Sequence, residues 1–351
     1  MLLKKLIAIP SFSKEENITA GTIEIFLQSK NIKTQRHLNN VWATNKFFDA
    51  TKPTLLLNSH HDTVKPNSGY TIDPFLPLEK DGKLFGLGSN DAGGCLVSLI
   101  ATFIYFYNKD NLKCNIILAA SSEEEISGSN GIESLLQQET FKALFNEQHQ
   151  NCAIVGEPTQ MQMAIAEKGL LVLDCKAIGK AGHAAGNEGD NAIYKAIKDI
   201  EWISSYKFEK VSDLLGPVKM SVTNIETENK AHNIVPAACS FIVDVRVNEL
   251  YTFEEIIATI QSNIESKIMP RSTRLRSSSI SLDHPLVKAG LNVGRTYYGS
   301  PTTSDKALIN FPALKIGPGN SARSHSADEF IFIDEIKEGI ELYIKLLNQL
   351  L

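Results

Sequence analysis

Residues 54–62 read Thr-Leu-Leu-Leu-Asn-Ser-His-His-Asp, a short apolar run that ends abruptly in two imidazoles and a carboxylate. The apolar part, 54–58, reads as a buried strand. The same figure recurs along the chain. Residues 115–120 form a second such run and lead into Ser121-Ser122-Glu123-Glu124-Glu125, while Cys152–Val155 leads into Gly156-Glu157-Pro158. A late run, 313–316, passes through Gly317-Pro318-Gly319 to Ser324-His325-Ser326. Helical stretches at 92–107 and 131–138 fall between the runs, and another at 334–350 closes the chain. Alternation of this kind implies an α/β core built on a largely parallel sheet. Upstream, apolar positions at helical spacing open the chain, and Ser13-Lys14-Glu15-Glu16 offers a Ser cap with Glu three residues on, the signature of a second helix start.

The pattern changes in the middle. Residues 163–178 read as two β-rich runs around Glu167-Lys168-Gly169, followed by a helix at 192–204, strands at 218–225 and 240–247, a helix at 253–268 and a strand near 275–282. That order predicts a separate sheet with helices on one face. The expected organisation is a discontinuous α/β catalytic domain, 1–165 and 283–351, with an α+β domain, 166–282, inserted into it. Composition agrees with an ordinary globular chain: of 351 residues, 43% are hydrophobic and 21% charged. Lys plus Arg number 35 against 40 Asp plus Glu, for a net charge of −5, which is not the basic balance of a nucleic-acid binder. The longest mostly apolar run, 95–107, is shorter than the roughly 20 residues a membrane span needs. No signal-peptide pattern opens the chain, and the 5 Cys form no CxxC pair. Neither a nucleic-acid nor a membrane partner is expected, nor a disulfide framework or Cys-type zinc site, and the expected compartment is cytoplasmic.

In open α/β sheets, active groups gather in loops at the carboxyl ends of strands. His60, His61, Asp62, the Glu123–Glu125 triplet, Glu157 and His325 all fall at such ends, and Gly86-Leu87-Gly88-Ser89-Asn90-Asp91 adds a glycine-rich turn ending in a carboxylate at the mouth of a helix. Singly, each has a plain structural reading. The His-His-Asp run can be a solvated loop, the Glu triplet a helix start, Asp91 an N-cap, Glu157 a surface turn and His325 an ordinary histidine. Jointly, carboxylates at one sheet edge repel one another unless they are protonated or neutralised by cations. Two divalent metal ions would supply that neutralisation. Histidine and carboxylate ligands without thiolate suit a hydrolytic zinc or similar site.

In this order, His60-His61-Asp62-Thr63-Val64, Gly86-x-Gly88-x-x-Asp91, Glu124-Glu125-x-x-Gly128, Gly156-Glu157-Pro158, Gly182-His183-Ala184, Asn233-x-x-Pro236 with Asp244-x-Arg246, and His325-x-x-x-Glu329 resemble the M20 family of metallopeptidases and amidohydrolases over nearly the whole chain. The resemblance implies a zinc-peptidase-like α/β fold and two divalent ions, zinc first with cobalt as an alternative. Asp91 would bridge them, His60 and Glu157 would complete one site, and Glu125 and His325 the other. Asp62 would orient His60. Glu124 would be the general base, taking a proton from water and passing it to the leaving amine. The insert would be a lid and dimerisation domain, so a homodimer is expected. His183, from its own or the partner subunit, would donate to the developing oxyanion. Arg246 and Asn233 would grip a substrate carboxylate, and Ser304-Asp305 would line a substrate-side loop.

Two features depart from or refine that pattern. Gly93 stands where the family usually has Lys, and Glu157 is Glu rather than Asp, a choice that leans towards deacylases and desuccinylases. The run from Gly317 to His325 resembles the acetylornithine and acetylcitrulline deacetylase branch. The resulting expectation is hydrolysis of a small N-acyl amino acid, N-acetylornithine or N-acetylcitrulline first, in arginine biosynthesis. The alternatives are a dipeptidase or carboxypeptidase, a succinyl-diaminopimelate desuccinylase-like enzyme, a lysine or ornithine carrier-protein carboxypeptidase, and a non-enzymatic metal-binding protein. An intact Glu124 argues against the last.

Overall fold

The strand Thr54–His60 is buried along its whole length, as an unbroken apolar run requires when both faces of a sheet are covered. Leu55 and Leu57 join Leu96, Leu99 and Phe103 of the helix Gly94–Phe106 in one apolar cluster, whereas Leu56 joins Ile132, Leu135 and Phe141 in another. In this computed structural model, which describes residues 1–146 and 148–351, Thr54–His60 lies between Asn115–Ser121 and Cys152–Val155, parallel to both. Ala313–Lys315 continues the parallel set beyond Cys152–Val155. Antiparallel strands flank this centre: Asn40–Thr44 pairs with Asn115–Ser121, Gln35–His37 with Asn40–Thr44, and Met163–Glu167 with Ala313–Lys315. The result is a mixed sheet with a parallel centre and helices on both faces. A small antiparallel sheet of Leu78–Lys80, Lys83–Phe85 and Phe330–Phe332 stands apart from it.

The chain divides into two units, one of Met1–Ile165, Ile280–Tyr298 and Ser304–Leu351, the other of Ala166–Ser279 with Gly299–Thr303. The second unit holds a four-stranded antiparallel sheet in the order Lys219–Thr227, Ala238–Val247, Gly169–Ile178, Lys267–Pro270. Burial alternates along Ala238–Val247 and Gly169–Ile178, so one face carries the core. Leu171, Leu173, Phe241 and Val243 pack there with Ala196 and Ile203 of helix Ala192–Ser205 and Ile256 and Ile260 of helix Phe253–Gln261. Among the described residues, no helix is long and apolar enough to cross a membrane.

Several elements differ from the sequence reading. The helix expected over 253–268 ends at Gln261, because Lys267–Pro270 pairs as an edge strand with Gly169–Ile178. Pro270 is tolerated at that edge, where a missing N–H costs least. The strand expected near 275–282 shrinks to Ser278–Ser279. The second helix starts at Asn17 with no side-chain cap, and Ser13 Oγ instead donates to Asp62 Oδ2 at 2.7 Å. Ser13 lies three residues before the position that precedes the helix, Glu16, and so cannot cap it.

Candidate active site

Three parallel strands deliver the site. His60 ends its strand, Glu124 and Glu125 occupy a single turn just past Asn115–Ser121, and Glu157 follows Cys152–Val155 by one glycine. Asp91 lies in the turn Ser89–Gly93 before the buried helix, and its peptide bond to Ala92 is cis. His325 sits in the loop beyond Ala313–Lys315, in a left-handed backbone conformation (φ +58°).

Asp91 faces both histidines. Its Oδ1 lies 3.4 Å from His60 Nε2 and its Oδ2 3.7 Å from His325 Nε2. His60 Nε2 is also 3.9 Å from Glu157 Oε1 and 4.0 Å from Glu124 Oε2, and His325 Nε2 meets Glu125 Oε2 at 2.9 Å. One ligand atom from each of His60, Glu124 and Glu157 lies within 4.8 Å of the other two, as does one from each of His60, Asp91 and Glu125. His60 Nε2 is buried and has no hydrogen-bond partner, while Nδ1 is turned to the Asp62 carbonyl at 3.0 Å. That unpaired nitrogen, aimed into a ring of carboxylate oxygens, is placed as a metal ligand would be. Ligand atoms each about 2.0–2.1 Å from a tetrahedral zinc stand about 3.4 Å apart, which is the His60–Asp91 separation. The donor set of imidazole nitrogen and carboxylate oxygen fits such an ion. The nearby thiol does not compete: burial pushes Cys95 well above its usual range, and its Sγ donates to the Pro318 carbonyl at 3.2 Å.

Electrostatics without an ion shows the same demand. Burial, reinforced by Glu157, Asp305 and Glu125, pushes Glu124 well above the usual carboxylate range against the pull of His60. Burial and Asp91 carry Glu157 up to about 8. His60 is opposed by its own burial, yet the neighbouring carboxylates of Asp62 and Asp91 and the charge on Glu124 hold it well above its ordinary value. The hydrogen bond to Glu125 raises His325 to about 9. Protons here do the work of cations.

Asp62 reaches further than one imidazole. Its carboxylate is 3.4 Å from His60 Nδ1, but its firm partners are peptides: Oδ1 accepts from Glu124 N and Oδ2 from Glu125 N, both at 3.1 Å. It therefore fixes the turn that carries both glutamates. Asp305, expected along a substrate loop, is buried instead, with Oδ2 accepting from Asn58 Nδ2 at 2.8 Å and Ser121 Oγ at 2.6 Å. Those bonds tie together the ends of the strands that carry His60 and Glu124. Ser304 precedes it, also buried, with its hydroxyl accepting from Lys306 N at 3.4 Å. Neither these bonds nor the Ser13–Asp62 bond is visible in local sequence, since their partners stand far away in the chain. Gly93 has a steric reason: a Cβ there would lie 2.4 Å from the Gly88 carbonyl oxygen and 2.6 Å from Leu3 Cδ1.

The remaining candidates belong to the second unit. His183 lies on the short strand Gly182–His183, exposed, with Nδ1 accepting from Ala185 N at 3.1 Å. His183 pairs with Ile234 across that ladder, and Asn233, just before the partner strand, accepts from Ala184 N through its carbonyl at 3.0 Å. Arg246 closes its guanidinium fork on Asp244, two residues away on the same strand face, at 2.8 and 3.0 Å.

A sequence profile described as peptidase family M20/M25/M40 matches residues 56–349. The chain belongs to this family. It is an M20-family hydrolase, and this member resembles a succinyl-diaminopimelate desuccinylase of Rickettsia bellii, 24% identical over 383 aligned positions that cover 99% of this chain and 96% of the relative. Its fold matches an M20 metallo-carboxypeptidase of Sulfolobus solfataricus at a TM-score of 0.75, with 19% identity, covering 99% of this chain and 98% of the other. It also matches the Bacillus subtilis YXEP protein, described as a dinuclear metal-binding M20 peptidase, at a TM-score of 0.69 and 14% identity, over 98% and 95% of the two chains.

Proposed function

We propose that this M20 hydrolase cleaves the amide bond of an N-acyl amino acid, with an N-succinyl diamino acid ahead of N-acetylornithine or N-acetylcitrulline. The observation that carries the reading is Asp91, whose two oxygens address two different histidines with a buried, unpaired imidazole nitrogen on one side. The likeness to a desuccinylase supports the succinyl substrate over the acetyl one. His60, Asp91 and Glu157 would hold one divalent ion, and Asp91, Glu125 and His325 a second. When bound, such ions polarise an amide carbonyl and lower the pKa of water.

The chain's own groups then divide the work. Asp62 holds the 124 and 125 peptides, and so fixes the backbone from which the Glu124 carboxylate reaches to 4.0 Å from His60 Nε2. Its raised affinity for protons suits a group that takes one from attacking water and returns it to the leaving nitrogen. In the balanced reaction the carbonyl carbon gains OH, the C–N bond breaks, and the amine leaves with the proton. His183 is assigned the hydrogen bond to the oxyanion, and Arg246 with Asn233 the substrate carboxylate, for which Asp244 holds the guanidinium in place. A homodimer built through the second unit belongs to the same proposal.

The test is a panel of N-succinyl-diaminopimelate, N-succinylornithine, N-acetylornithine, N-acetylcitrulline and simple dipeptides, incubated with protein loaded with zinc or cobalt. Release of the free amine should be fastest from a succinylated substrate. Turnover confined to dipeptides would overturn the deacylase reading.

A further inference from the structure

Glu329 follows His325 by four residues and is 2% exposed. Its Oε1 accepts from Asn90 N at 2.8 Å and Asp91 N at 2.9 Å, and its Oε2 from Gly88 N at 3.1 Å. Its own carbonyl accepts from Gly86 N at 2.9 Å. These are the peptides of the turn that presents Asp91, which has no side-chain cap at its start. Gly88 enters the turn with φ +73°, where a Cβ would lie 2.6 Å from Thr63 Cγ2, so the backbone path is also confined sterically. The segment that carries Glu329 is itself anchored. Asn67 Nδ2 donates to the His325 carbonyl at 3.2 Å, and Asp328 accepts from Thr71 N, Thr71 Oγ1 and Ile72 N.

Burying a carboxylate beside Asp91 is unfavourable, and peptide N–H groups offset that cost only where they point straight at it. We propose that Glu329 is a positioning residue: it locks the 88–91 turn so that Asp91 offers one oxygen towards His60 and the other towards His325, and it thereby sets the affinity of the chain for divalent ions. The inference rests on the metal reading above. It adds that the His325 and Asp91 loops are one mechanical unit, joined through a single carboxylate.

Glu329→Gln keeps the size of the side chain. Its amide oxygen can still accept from Asn90 and Asp91, but its NH2 group faces the Gly88 N–H, so one bond is lost and one buried donor is stranded. In metal-free protein, the Gly88, Asn90 and Asp91 amides should exchange with solvent at least about tenfold faster than in the wild type. Zinc affinity, measured by competition with a chromophoric chelator, should fall about 10–100-fold. Asp199→Asn serves as comparison, because this buried carboxylate likewise accepts three bonds, from Glu265 N, Ser266 N and Ser266 Oγ, but lies in the second unit and makes none to the 88–91 turn; its zinc affinity should stay within about threefold of wild type. If Glu329→Gln does not fold, Glu329→Asp, which keeps the carboxyl group and shortens the reach, takes its place with the same expectations. Unchanged exchange at the three amides, unchanged zinc affinity in the folded variant, or an equal loss in Asp199→Asn would each overturn the proposal. A wild-type chain that binds neither zinc nor cobalt would overturn the metal reading, and that shows in the unsubstituted protein alone.

Discussion

Asp62→Asn is the perturbation that most directly separates scaffold from chemistry at this site. The carboxylate accepts from the Glu124 and Glu125 peptides and from Ser13, and stands beside His60 Nδ1. An asparagine keeps one acceptor oxygen, so whichever way it turns, its NH2 group confronts one of the two peptide N–H groups. One charge-assisted hydrogen bond disappears and one buried donor is stranded, a combined cost of about 2–4 kcal/mol. Melting of the metal-free protein should therefore move down by roughly 3–8 °C. The function should suffer beyond that, because the freed peptide belongs to the turn carrying Glu124 and Glu125. A shift of about 1 Å in a reacting group can cost about a hundredfold in turnover, and losing the orienting partner of His60 about 10–100-fold in metal affinity. Calorimetric melting after chelation, chelator competition with zinc, and amine release at saturating metal read these three effects separately. A variant with wild-type zinc affinity and turnover, melting within about 2 °C of the parent, would refute the assignment of Asp62 as the anchor of that turn.

Three further outcomes follow from the same geometry. Glu124→Gln should retain the bound ions yet lose about 10²–10⁴-fold in turnover; loss of metal in parallel would make Glu124 a ligand instead. Because Glu157 stands at about 8 and His325 at about 9 without an ion, both are largely protonated at pH 7 and must release protons on loading. Zinc titrations in buffers of different ionisation enthalpy should show about two or more protons released per chain, and affinity should climb from pH 6 to pH 8; loading without proton release would refute this. His183→Ala should slow turnover by about 10²–10³-fold with metal content intact, and a matching loss of metal would point to a structural role.

The residues with the clearest sequence signal were those at strand ends. A parallel sheet sends every chain end to one edge, so an apolar run followed at once by His, Asp or Glu announces both the fold and the place where the group will stand. Thr54–His60 and Cys152–Val155 illustrate this. What local reading missed was decided at long range. Ser13 and Glu16 have the spacing of a cap, but the hydroxyl finds an ionised partner 49 residues away. Asp305 looks like a loop residue until Asn58 and Ser121 are brought beneath it. The helix from Phe253 was overextended because Ile264 and Ile268 prolong its apolar spacing, although the backbone there turns into a sheet edge. Arg246 and Asp244, two apart on a strand, face the same side by the period of the pleat.

The tie between Glu329 and the Asp91 turn spans 238 residues of sequence, with the whole second unit encoded between them. On the ribosome, the amino-terminal strands emerge long before the segment that steadies them, since synthesis runs from one end and units fold as they appear. The half-built pocket thus exists for a time with its acidic lining but without its clasp. On the proposal above, uptake of divalent ions would wait for the segment that carries Glu329 rather than follow the first appearance of the ligands.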